Sequence, residues 1–172
     1  MDLDWLKGIE IIDLSVPLSP EFPGCWPGNH PFAARTTSWY QDPDSPYFNR
    51  LITMEEHSGT HMDVPAHFVP GPHLNLPHSG PTSGITSEKV GLQRMIVPAV
   101  VLNATDLLST GSPGQSPRIG RSRIEQFETV HGALCPGEGL LTYTGWSDRY
   151  YRTFPEGKHY AEIPVVERSV AG

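Results

Sequence analysis

The pattern of apolar and polar positions along the 172-residue chain predicts a strand-rich protein. Runs of branched and aromatic residues predict five strands, at residues 9–18, 32–40, 47–55, 95–102 and 139–144. The second and third strands flank a turn sequence at 42–46, so we expect them to form a hairpin. The run at 95–102 is almost continuously apolar, which is typical of a buried strand, with Pro98 near a bulge or an edge.

One segment has the periodicity of an amphipathic helix. Apolar residues recur at every third position from Ile124 to Val130, and Gly132 follows as a candidate C-terminus. Ser122 and Glu125 have the S-x-x-E spacing of a capping box, so we expect the helix to begin there.

Segments rich in Pro, Gly and Ser separate these elements. They predict an irregular loop at 19–31, a long polar loop at 69–84 and a mobile surface loop at 109–121. A second, short helix is expected at 87–92, and no element is evident in 147–172. The histidines of the second loop, His73 and His78, are interpreted as solvated. We therefore expect one domain spanning 1–172 with an α/β or α+β fold that contains one or two helices.

Composition and charge exclude several classes of function. The formal net charge is −7 and no basic stripe is present, so nucleic acid is not an expected partner. No apolar run approaches the length of a membrane span, and residues 1–10 do not resemble a signal peptide. Cys25 and Cys135 are far apart in sequence and are interpreted as free thiols, which favours a cytoplasmic protein.

The strongest chemical signal is a cluster of histidines directly after the third predicted strand. His57, His61, Asp63 and His67 have the spacing H-x3-H-x-D-x3-H. Random placement at these frequencies would produce this spacing in roughly one such chain per thousand. Imidazole and carboxylate are ligands that suit Zn, Mn and Fe, so the cluster predicts a metal site.

Geometry requires the chain to bend at this cluster. An extended chain from His57 to Asp63 would cover about 20 Å, whereas two ligands of one ion lie only a few Å apart. A helix is disfavoured because Gly59 weakens it and Pro65 breaks it. We therefore expect a strand that turns into a compact ligand loop.

Three ligands are sufficient for a catalytic metal. His57, His61 and Asp63 would leave coordination positions open for water and substrate, and such a metal lowers the pKa of its bound water. His67 is either a fourth ligand or a general acid/base beside the metal. We favour the second role, because Pro65 separates His67 from Asp63.

The histidine motif and three further stretches resemble a known family. The motif reads H-S-G-T-H-M-D-V-P-A-H-F at 57–68, and I-D-L-S-V-P-L at 12–18, W-P-G at 26–28 and T-G-W at 144–146 agree in order. Together they resemble the metal-dependent cyclase family of hydrolases, which includes bacterial kynurenine formamidases and isatin hydrolases. The resemblance covers most of the chain, and the histidine motif is its specific part.

The resemblance implies a swivelling β/β/α fold, usually assembled as a homodimer or a higher homo-oligomer. It implies that His57, His61 and Asp63 bind Zn or Mn and that His67 is the catalytic acid/base. The implied reaction is hydrolysis of a small aryl amide, lactam or related acyl C–N bond by metal-activated water.

The matching stretches also contain aromatic residues that the resemblance makes candidates for substrate binding, namely Trp26, Phe68 and Trp146.

The chain departs from the family pattern in one respect, which limits what the resemblance implies. Family members usually continue beyond the point where this chain ends, and two-metal members carry there a His and a Glu for a second metal. No matching pair follows Trp146, so we expect one divalent metal and leave a second in doubt.

Three other functions remain open at this point. The same scaffold could serve a biosynthetic cyclase, lyase or isomerase that performs no net hydrolysis. Two histidines and one carboxylate also describe the facial triad of non-haem iron oxygenases. The last alternative is a metal-binding protein without catalytic activity.

Overall fold

The computed structural model describes residues 7–40, 44, 46–160 and 162–167. In these ranges it contains the strands β1 Ala33–Ser38, β2 Asn49–Thr53, β3 Ala99–Asn103, β4 Arg118–Ile119, β5 Gly139–Tyr143 and β6 Val165–Val166. It also contains the helices α1 Pro65–Phe68, α2 Arg121–His131 and α3 Trp146–Tyr150. The mixture of strands with few helices makes this an α+β fold, as the sequence predicts.

The predicted hairpin is confirmed. Strands β1 and β2 are antiparallel, with Ala33 opposite Thr53 and Thr36 opposite Arg50. The register shifts between Thr36 and Ser38, which marks an irregularity near the tip. The predicted turn at 42–46 lies largely outside the described residues. Because β2 ends at Thr53, the hairpin leads directly into the histidine motif.

The core is built around a β-α-β unit. Strands β3 and β5 pair in parallel from Ala99 opposite Gly139 to Asn103 opposite Tyr143, and α2 lies in the connection between them. A second parallel pair, β4 with β6, joins Ile119 to Val166. The buried cluster consists of Leu102, Ala104, Ile119 and Ile124, with Phe127 and Leu140 among the half-buried residues packed against it.

The first predicted strand, at 9–18, is wrong. This segment is extended but belongs to no ladder in the described part of the chain, and Ile11 and Leu14 are exposed. Branched apolar residues favour a strand only where a neighbouring strand accepts their backbone hydrogen bonds. Here the backbone makes local and side-chain contacts instead, such as Ser15 N–H to Asp13 Oδ1.

The main helix is confirmed in position but not in its start. Helix α2 begins at Arg121 with Gly120 as N-cap and no side-chain cap, so the capping box at Ser122 is wrong. Its end is as predicted, because Gly132 donates its N–H to Glu128 O and adopts a φ of 94°. The short helix predicted at 87–92 is replaced by two 3-10 turns, Ser87–Lys89 and Leu92–Arg94.

Three further expectations need correction. Strand β3 begins only after Pro98, and within the run at 95–102 only Leu102 is fully buried. The loop predicted at 109–121 contains β4, and the tail contains α3 and β6. Two-residue strands have no periodicity to read, so their long-range pairing could not be seen in the sequence. No helix in the described ranges is long and apolar enough to cross a membrane.

Candidate active site

The ligand loop, residues 55–68, begins with a tight turn that favours glycine. Ser58 N–H donates to Glu55 O, and Gly59 then adopts a φ of 64°. A Cβ at Gly59 would lie 2.8 Å from Leu18 Cδ2, so both the conformation and the close packing favour glycine. The turn folds the chain back and brings His57 and His61 together.

The early segment of the chain anchors the loop. Gly59 N–H donates to Gly24 O at 2.9 Å, and Val16 N–H donates to Thr60 Oγ1 at 2.9 Å. Tyr151, which follows α3, donates its hydroxyl to Pro17 O at 2.7 Å. The segment predicted to be the first strand therefore acts as a brace between the ligand loop and the C-terminal part of the fold.

The far end of the loop is set by proline. Pro65 occupies the first turn of α1, where its missing N–H costs nothing, and its fixed φ favours a helical start. Ala66 N–H donates to Ile85 O at 3.1 Å, which attaches this short helix to the segment after it. Helix α1 carries His67, so the proline places that ring relative to the rest of the loop.

Three side chains converge on one point. His57 Nδ1 lies 3.2 Å from His61 Nε2 and 3.0 Å from Asp63 Oδ1, and His61 Nε2 lies 3.6 Å from the same oxygen. Bonds of about 2.0–2.2 Å in a tetrahedron would place ligand atoms about 3.3–3.6 Å apart. The three atoms have nearly this spacing, so the residues present fit a divalent metal.

The orientation of His61 is fixed by the backbone. Its Nδ1 lies 2.9 Å from Gly59 O, a distance at which an N–H donates to the carbonyl. With the proton held on Nδ1, the lone pair of Nε2 faces His57 and Asp63. This arrangement is typical of metal-ligating histidines, whose second nitrogen donates to a fixed acceptor.

His67 lies beside this trio without belonging to it. Its ring centroid is 4.2 Å from that of His57, and the two rings are tilted by 58°. A second group of possible ligands joins His67 with His57 and Glu56, so His57 is shared between the two groups. The expectation that His67 acts as an acid/base rather than as a fourth ligand stays a prediction.

Two cavities border both Asp63 and one histidine of the ligand trio. The larger, of about 360 Å³, is lined by His61 and Asp63 together with Trp26, Trp146 and Tyr160. The smaller, of about 180 Å³, is polar and lies on the side of His67 and Glu56. Asp63 borders both cavities, so a metal held by this carboxylate would be reached from two sides.

The aromatic candidates for substrate binding separate into two places. Trp26 and Trp146 both line the larger cavity, Trp26 half exposed in the early loop and Trp146 buried at the start of α3. Phe68 is 69% exposed and packs edge-on against His67, outside the residues that line this cavity. All three assignments remain predictions about substrate.

Sequence reasoning missed several residues of the larger cavity. Thr60, Ser147 and Tyr160 contribute hydroxyl groups to its wall. Tyr160 belongs to the tail, where no sequence pattern indicated a contact with the motif. Burial raises the pKa of Tyr160, so its phenol stays protonated and remains a potential hydrogen-bond donor.

A buried thiol lies behind the larger cavity. Cys25 Sγ is 3.8 Å from His159 Nδ1, and burial, followed by the charge of Glu55, raises the pKa of the thiol. A thiol whose pKa is raised is less nucleophilic at neutral pH. Cys25 is therefore a packing residue here, and the chemistry of the site rests on the ligand loop.

Fold and site together define an α+β protein with a two-histidine, one-aspartate centre on a loop that follows a hairpin. The family model described as "Putative cyclase" matches residues 12–172, and the chain belongs to this cyclase family. The match includes the ligand loop and both strands of the β3–β5 pair.

Curated relatives carry two names. The chain is 31% identical over 158 residues to a kynurenine formamidase of Geobacillus thermodenitrificans, covering 90% of this chain and 60% of the relative. It is 26% identical over 147 residues to an isatin hydrolase of Roseibium aggregatum, covering 82% of this chain and 52% of the relative. The chain thus spans little more than half the length of these relatives.

Solved structures agree on the fold. A crystal structure of an isatin hydrolase with a bound product analogue, thioisatinate, has a TM-score of 0.69 at 22% identity, covering 95% of this chain and 62% of the other. Isatin hydrolase A from Ralstonia solanacearum has a TM-score of 0.69 at 26% identity over the same shares. The fold expected from the resemblance is therefore confirmed.

Proposed function

We propose that this protein is a metal-dependent hydrolase of a small aryl amide, lactam or related acyl C–N bond. The observation that carries the proposal is the spacing of the three ligand atoms of His57, His61 and Asp63, which are 3.0–3.6 Å apart beside an aromatic cavity. The names of the relatives, a formamidase and an isatin hydrolase, support the same bond type.

His57, His61 and Asp63 would hold one divalent metal, which we propose to be Zn or Mn. Such a metal supplies Lewis acidity and a water of lowered pKa. Asp63 places one negative charge at the centre and keeps the two imidazoles oriented toward it.

The larger cavity would bind and orient the aromatic ring of the substrate. Trp26 and Trp146 provide apolar walls, and the hydroxyls of Thr60 and Ser147 provide partners for a carbonyl or amide group. The lining residues that the structure describes include no Lys or Arg. We therefore propose a neutral aryl amide or lactam rather than a substrate held by an anionic group.

His67 is the proposed proton carrier. Its ring lines the smaller cavity and contacts the ring of His57, which is a member of the ligand trio. An imidazole in this position would donate a proton to the leaving nitrogen. This role depends on the substrate reaching both cavities at Asp63, which borders each of them.

The protein is also proposed to act as a homodimer or higher homo-oligomer in the cytoplasm. The hairpin supports the first point, because an isolated two-stranded hairpin is marginally stable and this one exposes Trp39, Leu51 and Ile52. Both described cysteines, Cys25 and Cys135, are free thiols, which supports a reducing compartment. Light scattering on the purified protein measures the assembly, and a monomer at all concentrations would contradict it.

The test is a substrate panel with metal-depleted and reconstituted protein. Aryl formamides, isatin-like lactams and aryl lactones are incubated with protein carrying Zn, Mn or no metal, and products are identified by mass. Only in the metal-loaded samples do we expect the lactams and lactones to give ring-opened products heavier by one water, and the formamides to split into an aryl amine and formate. A lactam or lactone converted to a product of unchanged or lower mass, or a formamide converted without release of formate, would contradict hydrolysis and favour a cyclase or lyase on the same scaffold.

A further inference from the structure

His57 uses one ring nitrogen for the ligand trio and leaves the other without a partner. Nδ1 faces His61 and Asp63, whereas Nε2 is buried and neither accepts nor donates a hydrogen bond. An imidazole that binds a metal through Nδ1 carries its proton on Nε2. A buried N–H without an acceptor is costly, so the loaded site needs an acceptor at this position.

Glu56 is the carboxylate nearest to this nitrogen. Its Oε1 lies 3.9 Å from His57 Nε2, about 1 Å beyond an ordinary hydrogen bond. The Glu56 side chain is 85% exposed, so a change of rotamer that closes this gap meets little resistance. The neighbouring Glu55 is already engaged, since its Oε1 accepts the N–H of His30 at 2.8 Å.

We propose that Glu56 is a positioning residue that accepts the Nε2–H of His57 and so directs Nδ1 of His57 toward the metal. The inference rests on the metal site of the proposed function. His67 also lies close to His57, but a carboxylate is an obligate acceptor at neutral pH and forms the stronger, charge-assisted bond. A His67 that carries protons would in addition need its own ring nitrogens free.

The test compares substitutions at two adjacent glutamates by metal affinity rather than by turnover. The affinities of wild type, Glu56→Ala, Glu56→Gln and Glu55→Gln for Zn and for Mn are measured by competition with a chelator. Loss of an outer-sphere acceptor weakens metal binding by about 10–100-fold, and we expect this for Glu56→Ala. Glu56→Gln keeps an oxygen acceptor, so its metal affinity should lie between those of Glu56→Ala and wild type. The metal affinity of Glu55→Gln should stay within about threefold of wild type.

A spectroscopic measurement separates positioning from general structural support. In Zn-loaded wild type, we expect nitrogen NMR to show a slowly exchanging Nε2–H on His57 that disappears in Glu56→Ala. Equal affinities of wild type and Glu56→Ala would overturn this proposal alone, as would an N–H signal lost only in His67→Ala. Failure of wild type to bind either metal would overturn the proposed function as well.

Discussion

The ligand loop and the β-α-β unit differ in how deeply their side chains are buried and in how their backbones are held. In the β-α-β unit, Leu102 and Ile124 are at most 7% exposed, and the parallel β3–β5 ladder pairs the strand backbones. In the ligand loop (residues 55–68), the residues His61, Asp63 and His67 are exposed. The loop is held by single hydrogen bonds, from Gly59 N–H to Gly24 O, from Val16 N–H to Thr60 Oγ1 and from Ala66 N–H to Ile85 O.

This difference separates stability from chemistry. Apolar burial dominates folding free energy, so the β-α-β unit should determine whether the chain folds. The loop contributes little burial, and its precision comes from Gly59, Pro65 and a few long-range hydrogen bonds. Substitutions in the two regions should therefore have different readouts.

The largest effect is expected at Asp63, the ligand that borders both cavities. Asp63→Ala removes a ligand and the one negative charge of the trio, so metal affinity should fall by more than the roughly 100-fold that outer-sphere partners cost. Turnover should be lost, and the unfolding midpoint of metal-free protein should be nearly unchanged. Asp106→Ala, which removes an exposed carboxylate beside Arg123, is the control and should keep full metal affinity.

The next effect concerns proton transfer without loss of metal. His67→Gln should lower turnover by about 10²–10⁴-fold while the protein retains one metal per chain, because general acid/base catalysis contributes about that much. His73→Gln, at an exposed histidine in the following loop, is the matched control. A His67→Gln protein that loses its metal would instead identify His67 as a ligand.

In the β-α-β unit, Leu102→Ala should have the opposite effect, lowering stability while metal affinity is kept. Leu102 is 2% exposed and packs with Ile119 and Ile124, so the substitution leaves a cavity and should lower the free energy of unfolding by about 2–5 kcal/mol. The folded fraction should bind metal like wild type. Denaturant titration measures the first quantity and chelator competition the second, and a large loss of metal affinity would show that the two regions are coupled.

The smallest effect is expected at the turn that shapes the loop. Gly59→Ala forces a Cβ into the left-handed region and against Leu18, so it should cost about 1–2 kcal/mol. Because this strain is local to the ligand loop, the free energy of metal binding should change more than the free energy of unfolding. Gly114→Ala is the control, since Gly114 also has a positive φ but meets no atom within 4 Å.

The sequence predicts those parts of the fold that local pattern controls. The hairpin, strand β5, helix α2 and the bent ligand loop follow from alternation, apolar spacing, Gly59 and Pro65. The segment at 9–18 has the residues of a strand but no partner, and β4 and β6 pair across 45 residues without a readable pattern. Partners distant in sequence decide both cases.

The candidate site shows the same limit. The motif alone indicates the four chemical residues, because they are close in sequence, namely His57, His61, Asp63 and His67. Tyr160 and Ser147 reach the same cavity from the tail and from α3, and only the folded chain brings them there. The walls of the cavity, and hence its preference for substrate, depend on contacts that the motif does not encode.

The most direct measurement follows isotopic water into the product. Protein reconstituted with Zn or Mn is incubated with an aryl formamide or with isatin in water enriched in ¹⁸O, and the product is analysed by mass spectrometry. We predict one ¹⁸O atom from solvent in the formate released from the formamide and in the carboxylate of ring-opened isatin, formed at a rate that requires the metal and is strongly reduced in His67→Gln. Fully metal-loaded protein that yields no labelled product across the panel would contradict the proposed hydrolase activity.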